Sequence, residues 1–251
     1  MKGTGDAGRD VAGQAQPVGE HRVAVITGGT RGIGLAAARG LGNAGVTIYL
    51  IGRDADRAAA AARDLRAQGI DAHADVCDVS DAGGMDALAA RIPSPDIVVA
   101  SAGVMAERMS KTLRTTPEEW QRVLGANLDG VFHTLCCFTP GMVQRRSGRV
   151  IVVSACLGRS SGPGLEGGLV PYRVSKAGVN AIVRAFAAET GMGSRGVSVD
   201  AMCPGHCRTD MGGPEAPRSA EEGADTIVWL ATREPATPTG LLWEDRAPVP
   251  W

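Results

Sequence analysis

The chain has 251 residues, enough for one large α/β domain with a substantial core, and its 44% apolar content is ordinary for a globular protein. A formal net charge of -1 excludes broad electrostatic attraction to nucleic acid or membrane surfaces and points to work on small molecules. No bilayer-length apolar run and no signal-peptide order is present, so a cytoplasmic location is expected, and six cysteines without paired CxxC spacing read as reduced thiols.

Residues 1–20 are rich in Gly, Asp, Gln and Ala and poor in large apolar side chains, so they cannot repay the entropy of ordering. They are expected to form a flexible leader to a domain spanning 21–251. From Val23 to Ile26 the chain becomes an apolar run suited to a strand covered on both faces. Directly after it come Gly28, Thr30, Arg31, Gly32, Ile33 and Gly34, followed by Ala-rich helical sequence. A strand feeding a glycine-rich turn that opens a helix lets backbone amides and the helix dipole face a pyrophosphate.

A second strand is expected at 46–51, then Gly52-Arg53-Asp54, with Asp54 capping a helix to about Gln68. An acidic residue at this strand end would bond both ribose hydroxyls of NAD, and Gly52 and Arg53 stand there instead. With Arg31, two guanidinium groups near the ribose favour a 2'-phosphate, which predicts NADP(H). A different loop course would bring the Asp54 carboxylate to the ribose. A third strand ends near Ala74 to Val79, with Asp78 placed to meet the adenine amino group. Further on, a strand at 97–100 runs into Ser101, Ala102 and Gly103, whose small side chains leave room for a cofactor.

Residues 117–144 read as one long amphipathic helix with Trp120, Val123, Leu124, Leu128, Val131, Phe132 and Leu135 at helical spacing. A fifth strand at 149–153, a Gly-rich loop at 157–170, a helix from Pro171 to about Thr190 and a sixth strand at 197–202 follow. The segment 206–218, broken by Gly and Pro, is expected to cover a substrate. A helix at 220–231 and a short strand at 240–243 complete the sheet. Cys203, His206 and Cys207 have no fourth ligand nearby, so no metal is expected. His206 is a candidate substrate donor or a solvated loop residue.

Tyr172 and Lys176 stand four positions apart and share one face of their helix. A phenol is a poor acid-base group at neutral pH, and a neighbouring ammonium is expected to lower its pKa toward the working range, which suits carbonyl reduction.

Over residues 21–251 the sequence resembles the short-chain dehydrogenase/reductase family. The residues that carry the resemblance are the 27–34 turn, Asp78-Val79, Ala100 to Gly103, Asn127, Tyr172 with Lys176, and Pro204-Gly205 followed by Thr209. Residues 208–214 and the tail 245–251 further resemble its carbonyl-reductase-like members. The resemblance implies a single doubly wound, Rossmann-type α/β domain with a parallel sheet of about seven strands. It also implies Asn127 holding a relay water, Lys176 on the nicotinamide ribose, and Pro204-Gly205 against the nicotinamide. Asn127 as a buried structural amide is the other reading. Family members of this kind are dimers, tetramers or monomers.

One departure stands out. Counting back from Gly158, Ala155 occupies the place of the family's carbonyl-binding serine, and Ser154 lies one residue early. The hydroxyl could come from Ser154 after a local shift, from Ser160 or Ser161, or from the substrate. The expected activity is NADP(H)-dependent hydride transfer between the cofactor and a small-molecule ketone or secondary alcohol. The alternatives are a tailoring enzyme acting on an imine or conjugated alkene, and an NADP-binding regulatory protein without turnover.

Overall fold

The computed structural model describes residues 22–106, 111–162, 167–234 and 236–251. The expected leader at 1–20 and part of the 157–170 loop lie outside the described residues. Among the described residues the order begins β1 (Val23–Thr27), α1 (Gly32–Asn43), β2 (Thr47–Gly52), α2 (Ala55–Ala67), β3 (Ala72–Val76), α3 (Ala82–Ala89) and β4 (Ile97–Ala100). It continues with α4 (Pro117–Leu124), α5 (Gly130–Phe138), α6 (Pro140–Arg145), β5 (Gly148–Val153), α7 (Val170–Glu189), β6 (Val197–Met202), α8 (Ala220–Thr232), β7 (Leu242–Glu244) and β8 (Ala247–Val249).

The strands form one sheet in the order β3-β2-β1-β4-β5-β6-β7-β8, parallel except for the β7–β8 hairpin. The apolar strand runs predict this, because a parallel strand is covered by helices on both faces. On one face α1, α2 and α8 bury Leu41, Leu65, Ile227 and Leu230; on the other α3, α5 and α7 bury Met85, Phe138, Val179 and Val183. β1 lies between β2 and β4, so the chain leaves its carboxyl end in opposite directions on either side. That divergence opens a crevice above the strand ends, where ligands bind in sheets of this kind.

Two differences from the sequence reading bear on the site. The helix expected over 117–144 is three pieces: a π-helical turn, Gly125–Asp129, separates α4 from α5, and α6 restarts at Pro140. Gly130 lets this stretch pack closely on Val79, since a Cβ there would come within 2.4 Å of Val79 Cγ2. The sheet also has an eighth strand. Its turn residues Asp245 and Arg246 both have positive φ, at 48° and 61°, the conformation a tight hairpin requires but one seldom taken without glycine or asparagine.

Candidate active site

The glycine turn is shaped by close backbone approach. Gly28 has φ +67° and donates its N–H to Ile51 O at 2.8 Å, folding the turn across β2. A Cβ on Gly28 would lie 2.7 Å from Ala102 Cα, and one on Gly34 would lie 2.3 Å from Gly28 O, so both positions exclude any side chain. Arg31 caps α1 in an extended conformation without a side-chain bond, and the first turn carries no acidic residue. The amides that begin α1 therefore face the crevice with no carboxylate in their own turn, which suits an anion.

At the end of β2 a Cβ on Gly52 would meet Thr30 Cγ2 at 2.7 Å, so Thr30 occupies the space that a side chain at position 52 needs. Arg53 is exposed at the same edge of the cavity, and its charge contributes to lowering the Asp78 carboxyl. Hydrogen bonds from the Ser80 backbone N–H and hydroxyl, at 2.9 and 2.7 Å, lower it more. Asp54 is committed to α2, accepting from Arg57 N at 3.0 Å. Arg31 forms an ion pair with Asp210 in the 206–218 segment.

At the other end of the crevice, Tyr172 and Lys176 lie one turn apart on α7 and are 6% and 5% exposed. The Lys176 ammonium is 5.7 Å from the phenol ring centre and donates to Val153 O at 2.7 Å. Burial lowers the lysine to about 8. Burial also raises the Tyr172 phenol above its ordinary value, and the nearby Cys203 and Cys156 raise it further. The expected lowering of the tyrosine by the lysine is therefore not what the structure shows. The ammonium is spent on a main-chain carbonyl, and desolvation of the phenolate dominates.

Asn127, in the π-helical turn, is fully buried and grips the end of β4. Its Oδ1 accepts from Val104 N at 2.7 Å, and its Nδ2 donates to Val104 O at 3.0 Å and to Ser175 Oγ at 3.1 Å. Ser175 in turn donates to Tyr172 O at 2.7 Å. Gly103 lets these groups converge: a Cβ there would lie 3.3 Å from Asn127 Oδ1 and 3.9 Å from Lys176 Nζ.

The two candidate positions follow directly after β5. Ala155 and Ser154 both line the cavity, but the Ser154 hydroxyl is buried and donates to Asn180 Oδ1 at 2.5 Å. Ser160 N and the Ser161 hydroxyl are turned to Trp251 O, at 3.1 and 3.5 Å. Asn180 is the residue that the sequence reading passed over. It stands four positions beyond Lys176 on the same helix face, and its Nδ2 donates to Gly158 O at 3.1 Å, so it fixes both ends of the 3-10 turn Cys156–Gly158. His206 is exposed, with Nε2 2.8 Å from Gly212 O.

One cavity of about 1060 Å³ joins the two ends. The residues singled out for cofactor or catalysis line it, except Asn127, which stands behind Gly103 and Val104, and the alternative hydroxyls Ser160 and Ser161. Its far wall is the 206–218 segment, pinned at the base by Arg208 N to Arg218 O at 2.7 Å. There Thr209 faces the glycine turn, with Cγ2 3.1 Å from where a Gly32 Cβ would be. Glycine turn, bare helix start and small-residue strand ends fit a dinucleotide lying across the carboxyl ends of β1 and β4.

A family model described as short chain dehydrogenase matches residues 22–220. The chain belongs to the short-chain dehydrogenase/reductase family. These are oxidoreductases that bind nicotinamide cofactors. Among its relatives in this family is the 3-oxoacyl-[acyl-carrier-protein] reductase FabG of Pseudomonas aeruginosa, 32% identical over 235 residues, covering 91% of this chain and 92% of the relative. An actinorhodin polyketide ketoreductase variant solved with NADPH superimposes with a TM-score of 0.79 at 28% identity, covering 88% of this chain and 94% of that one. A 3-oxoacyl-[acyl-carrier protein] reductase from Brucella melitensis with bound NAD has a TM-score of 0.79 at 27% identity, covering 96% and 95%. These family members carry both nicotinamide cofactors, so the choice between NAD and NADP rests on the side chains at the β2 end. No helix among the described residues is long and apolar enough to cross a membrane.

Proposed function

We propose that the protein is an NADPH-dependent ketone reductase in which Tyr172 protonates the nascent alkoxide. The observation that carries this reading is the junction of the glycine turn and the Tyr172–Lys176 pair in one cavity. A bound nicotinamide supplies the hydride; the protein supplies position and protons.

The amides of α1 and the glycine turn hold the pyrophosphate, Asp78 and Val79 lie toward the adenine, and Arg53 takes the 2'-phosphate. Thr30 packed against Gly52 supports NADP(H), because it leaves no space for the carboxylate that NAD enzymes place there. Ser101, Ala102, Gly103, Pro204, Gly205 and Thr209 line the rest of the cofactor's path. A raised phenol pKa keeps Tyr172 protonated at neutral pH, which is the form a reductase needs before hydride arrives. Lys176, largely charged at neutral pH with a value of about 8, stabilises the negative charge that develops. Asn127 holds the segment after β4 in place and positions a water that links Lys176 to the solvent.

Relatives named as 3-oxoacyl reductases and a polyketide ketoreductase support a ketone as substrate. Ala155 in the cavity wall, with Ser154 engaged by Asn180, favours a substrate that brings its own hydrogen-bond donor to the reacting centre. The same observation favours a second reading, reduction of an imine or conjugated alkene, for which a carbonyl-binding serine is dispensable. The test is NADPH consumption against 3-oxoacyl thioesters, hydroxyaryl ketones, quinones and imines. Turnover of a ketone class, faster with NADPH than with NADH, is expected. Tight NADPH binding without consumption on any carbonyl or imine would overturn the proposal.

A further inference from the structure

Two of the six cysteines meet in the catalytic cavity, and neither has a place in the reductase reading. Cys156 follows Ala155 and opens the 3-10 turn; Cys203 is the first residue after β6, immediately before Pro204-Gly205. The Cys156 backbone N–H donates to Cys203 Sγ at 3.1 Å, which brings the two residues into direct contact. Both line the cavity, Cys203 being only 2% exposed. We propose that Cys156 and Cys203 form an oxidisable dithiol in the cavity wall, a modification site for hydroperoxides that closes to a disulfide and stops turnover.

The groups around the pair divide the labour between the two sulfurs. The hydrogen bond from the Cys203 thiol lowers Cys156, helped by the Leu157 backbone and by Arg159, against burial and Glu244. Cys203 is raised by the same proton sharing and by burial, with Glu244 Oε1 3.8 Å from its sulfur. Burial raises Cys77, Cys136, Cys137 and Cys207, with Cys137 up to about 12. Cys156 is half-buried at the cavity wall whereas Cys203 is enclosed, so Cys156 is the sulfur that a peroxide reaches first and Cys203 the one that resolves it.

The steps balance. The Cys156 thiolate attacks one peroxide oxygen, forming S–O and breaking O–O; hydroxide leaves and the sulfur becomes a sulfenic acid. Cys203 sulfur then attacks Cys156 sulfur, forming S–S and breaking S–O, and the departing hydroxide takes the Cys203 proton. Two thiols and one hydrogen peroxide give one disulfide and two waters, and an external dithiol reverses the change. The bridge would tie the 3-10 turn to the strand end before Pro204. That turn already presses on α7, since a Gly158 Cβ would lie 2.7 Å from Lys176 Cβ. Displacing it shifts the wall on both sides of Tyr172.

The effect on turnover rests on the reductase reading; formation of the bridge does not. The full chain is treated with stoichiometric hydrogen peroxide, alkylated and mapped by mass spectrometry. A peptide pair joined through Cys156 and Cys203 is expected, and it persists in the Cys136→Ser/Cys137→Ser variant. In Cys203→Ser, dimedone labels Cys156 at least about tenfold faster than Cys77 or Cys136. Consumption of NADPH falls at least about tenfold on oxidation and returns with dithiothreitol. Oxidation that joins a different pair, or dimedone labelling spread evenly over the cysteines, would overturn the proposal. So would a mapped Cys156–Cys203 bridge that leaves turnover unchanged. A reduced protein with no turnover on any substrate counts against the reductase reading alone, because the peptide map decides the dithiol independently.

Discussion

At the β1–β2 end of the cavity the shape is set by main chain. Gly28, Gly34 and Gly52 bring backbone and Thr30 within 2.3 to 2.9 Å of where a Cβ would stand, and the α1 amides face inward. At the α7 end the shape is set by buried side chains. Tyr172, Lys176, Asn127, Ser154 and Asn180 are each 6% exposed or less, and every polar group is held by a named partner or shifted by burial. The difference teaches where each half is fragile. A backbone cradle fails when atoms are added, whereas a buried polar network fails when one partner is removed or one proton is misplaced.

The largest effect is expected where a charge is removed from the side-chain half. Lys176→Met should lower turnover by about 10²- to 10⁴-fold, as loss of a group in an acid-base relay does, measured as kcat on the best ketone. The same variant tests burial through pH. The folded lysine titrates near 8 against 10.5 for the free group, so between those values the unfolded chain binds the extra proton and stability rises with pH. The wild type should gain this rise relative to Lys176→Met in denaturant melts taken from pH 8 upward. Above about pH 10 the raised Tyr172 works in the opposite direction in both proteins.

Adding one carbon to the backbone half should act on binding. Gly34→Ala forces Gly28 O from a 2.3 Å approach, which is expected to weaken NADPH by about 10²-fold through misplacement of the turn. Calorimetric titration of the variant reads this, and affinity equal to the parent's would show that the turn yields. Arg53→Asp should cost NADPH about 10- to 10²-fold while leaving NADH within about threefold, the worth of one charge-assisted bond to phosphate. Equal losses for both cofactors would remove Arg53 from the 2'-phosphate.

The smallest kinetic effect belongs to Ser154→Ala. Asn180 Oδ1 would lose its buried partner, so a stability loss of about 1–3 kcal/mol is expected with kcat changed by less than about threefold. A rate loss of about 10² to 10³ would instead identify Ser154 as the oxyanion donor.

The same division explains how much was legible in the sequence. The strand–glycine–helix order at Val23 to Asn43 and the Tyr172–Lys176 spacing fix their own geometry, because apolar runs, glycine and helical periodicity act locally. The break at Gly125–Asp129 was hidden because Trp120 to Leu135 keeps helical spacing on either side of a π-helical turn; the paired Gly125 and Gly130 were its only signal. β8 was hidden because its turn uses Asp245 and Arg246 where Asn-Gly would have announced it. Arg31 with Asp210, Ser154 with Asn180 and Cys156 with Cys203 are contacts between distant segments, and no local spacing encodes them.

The central claim is that Tyr172 moves a proton in a reaction whose cofactor is held elsewhere. Tyr172→Phe keeps the ring packing and removes only the hydroxyl. Its kcat for ketone reduction and its Kd for NADPH, measured on the same preparation, separate the two halves of the cavity. Turnover lower by about 10²- to 10⁴-fold with Kd within about twofold of the parent is the predicted result. Turnover retained with the hydroxyl gone would contradict it.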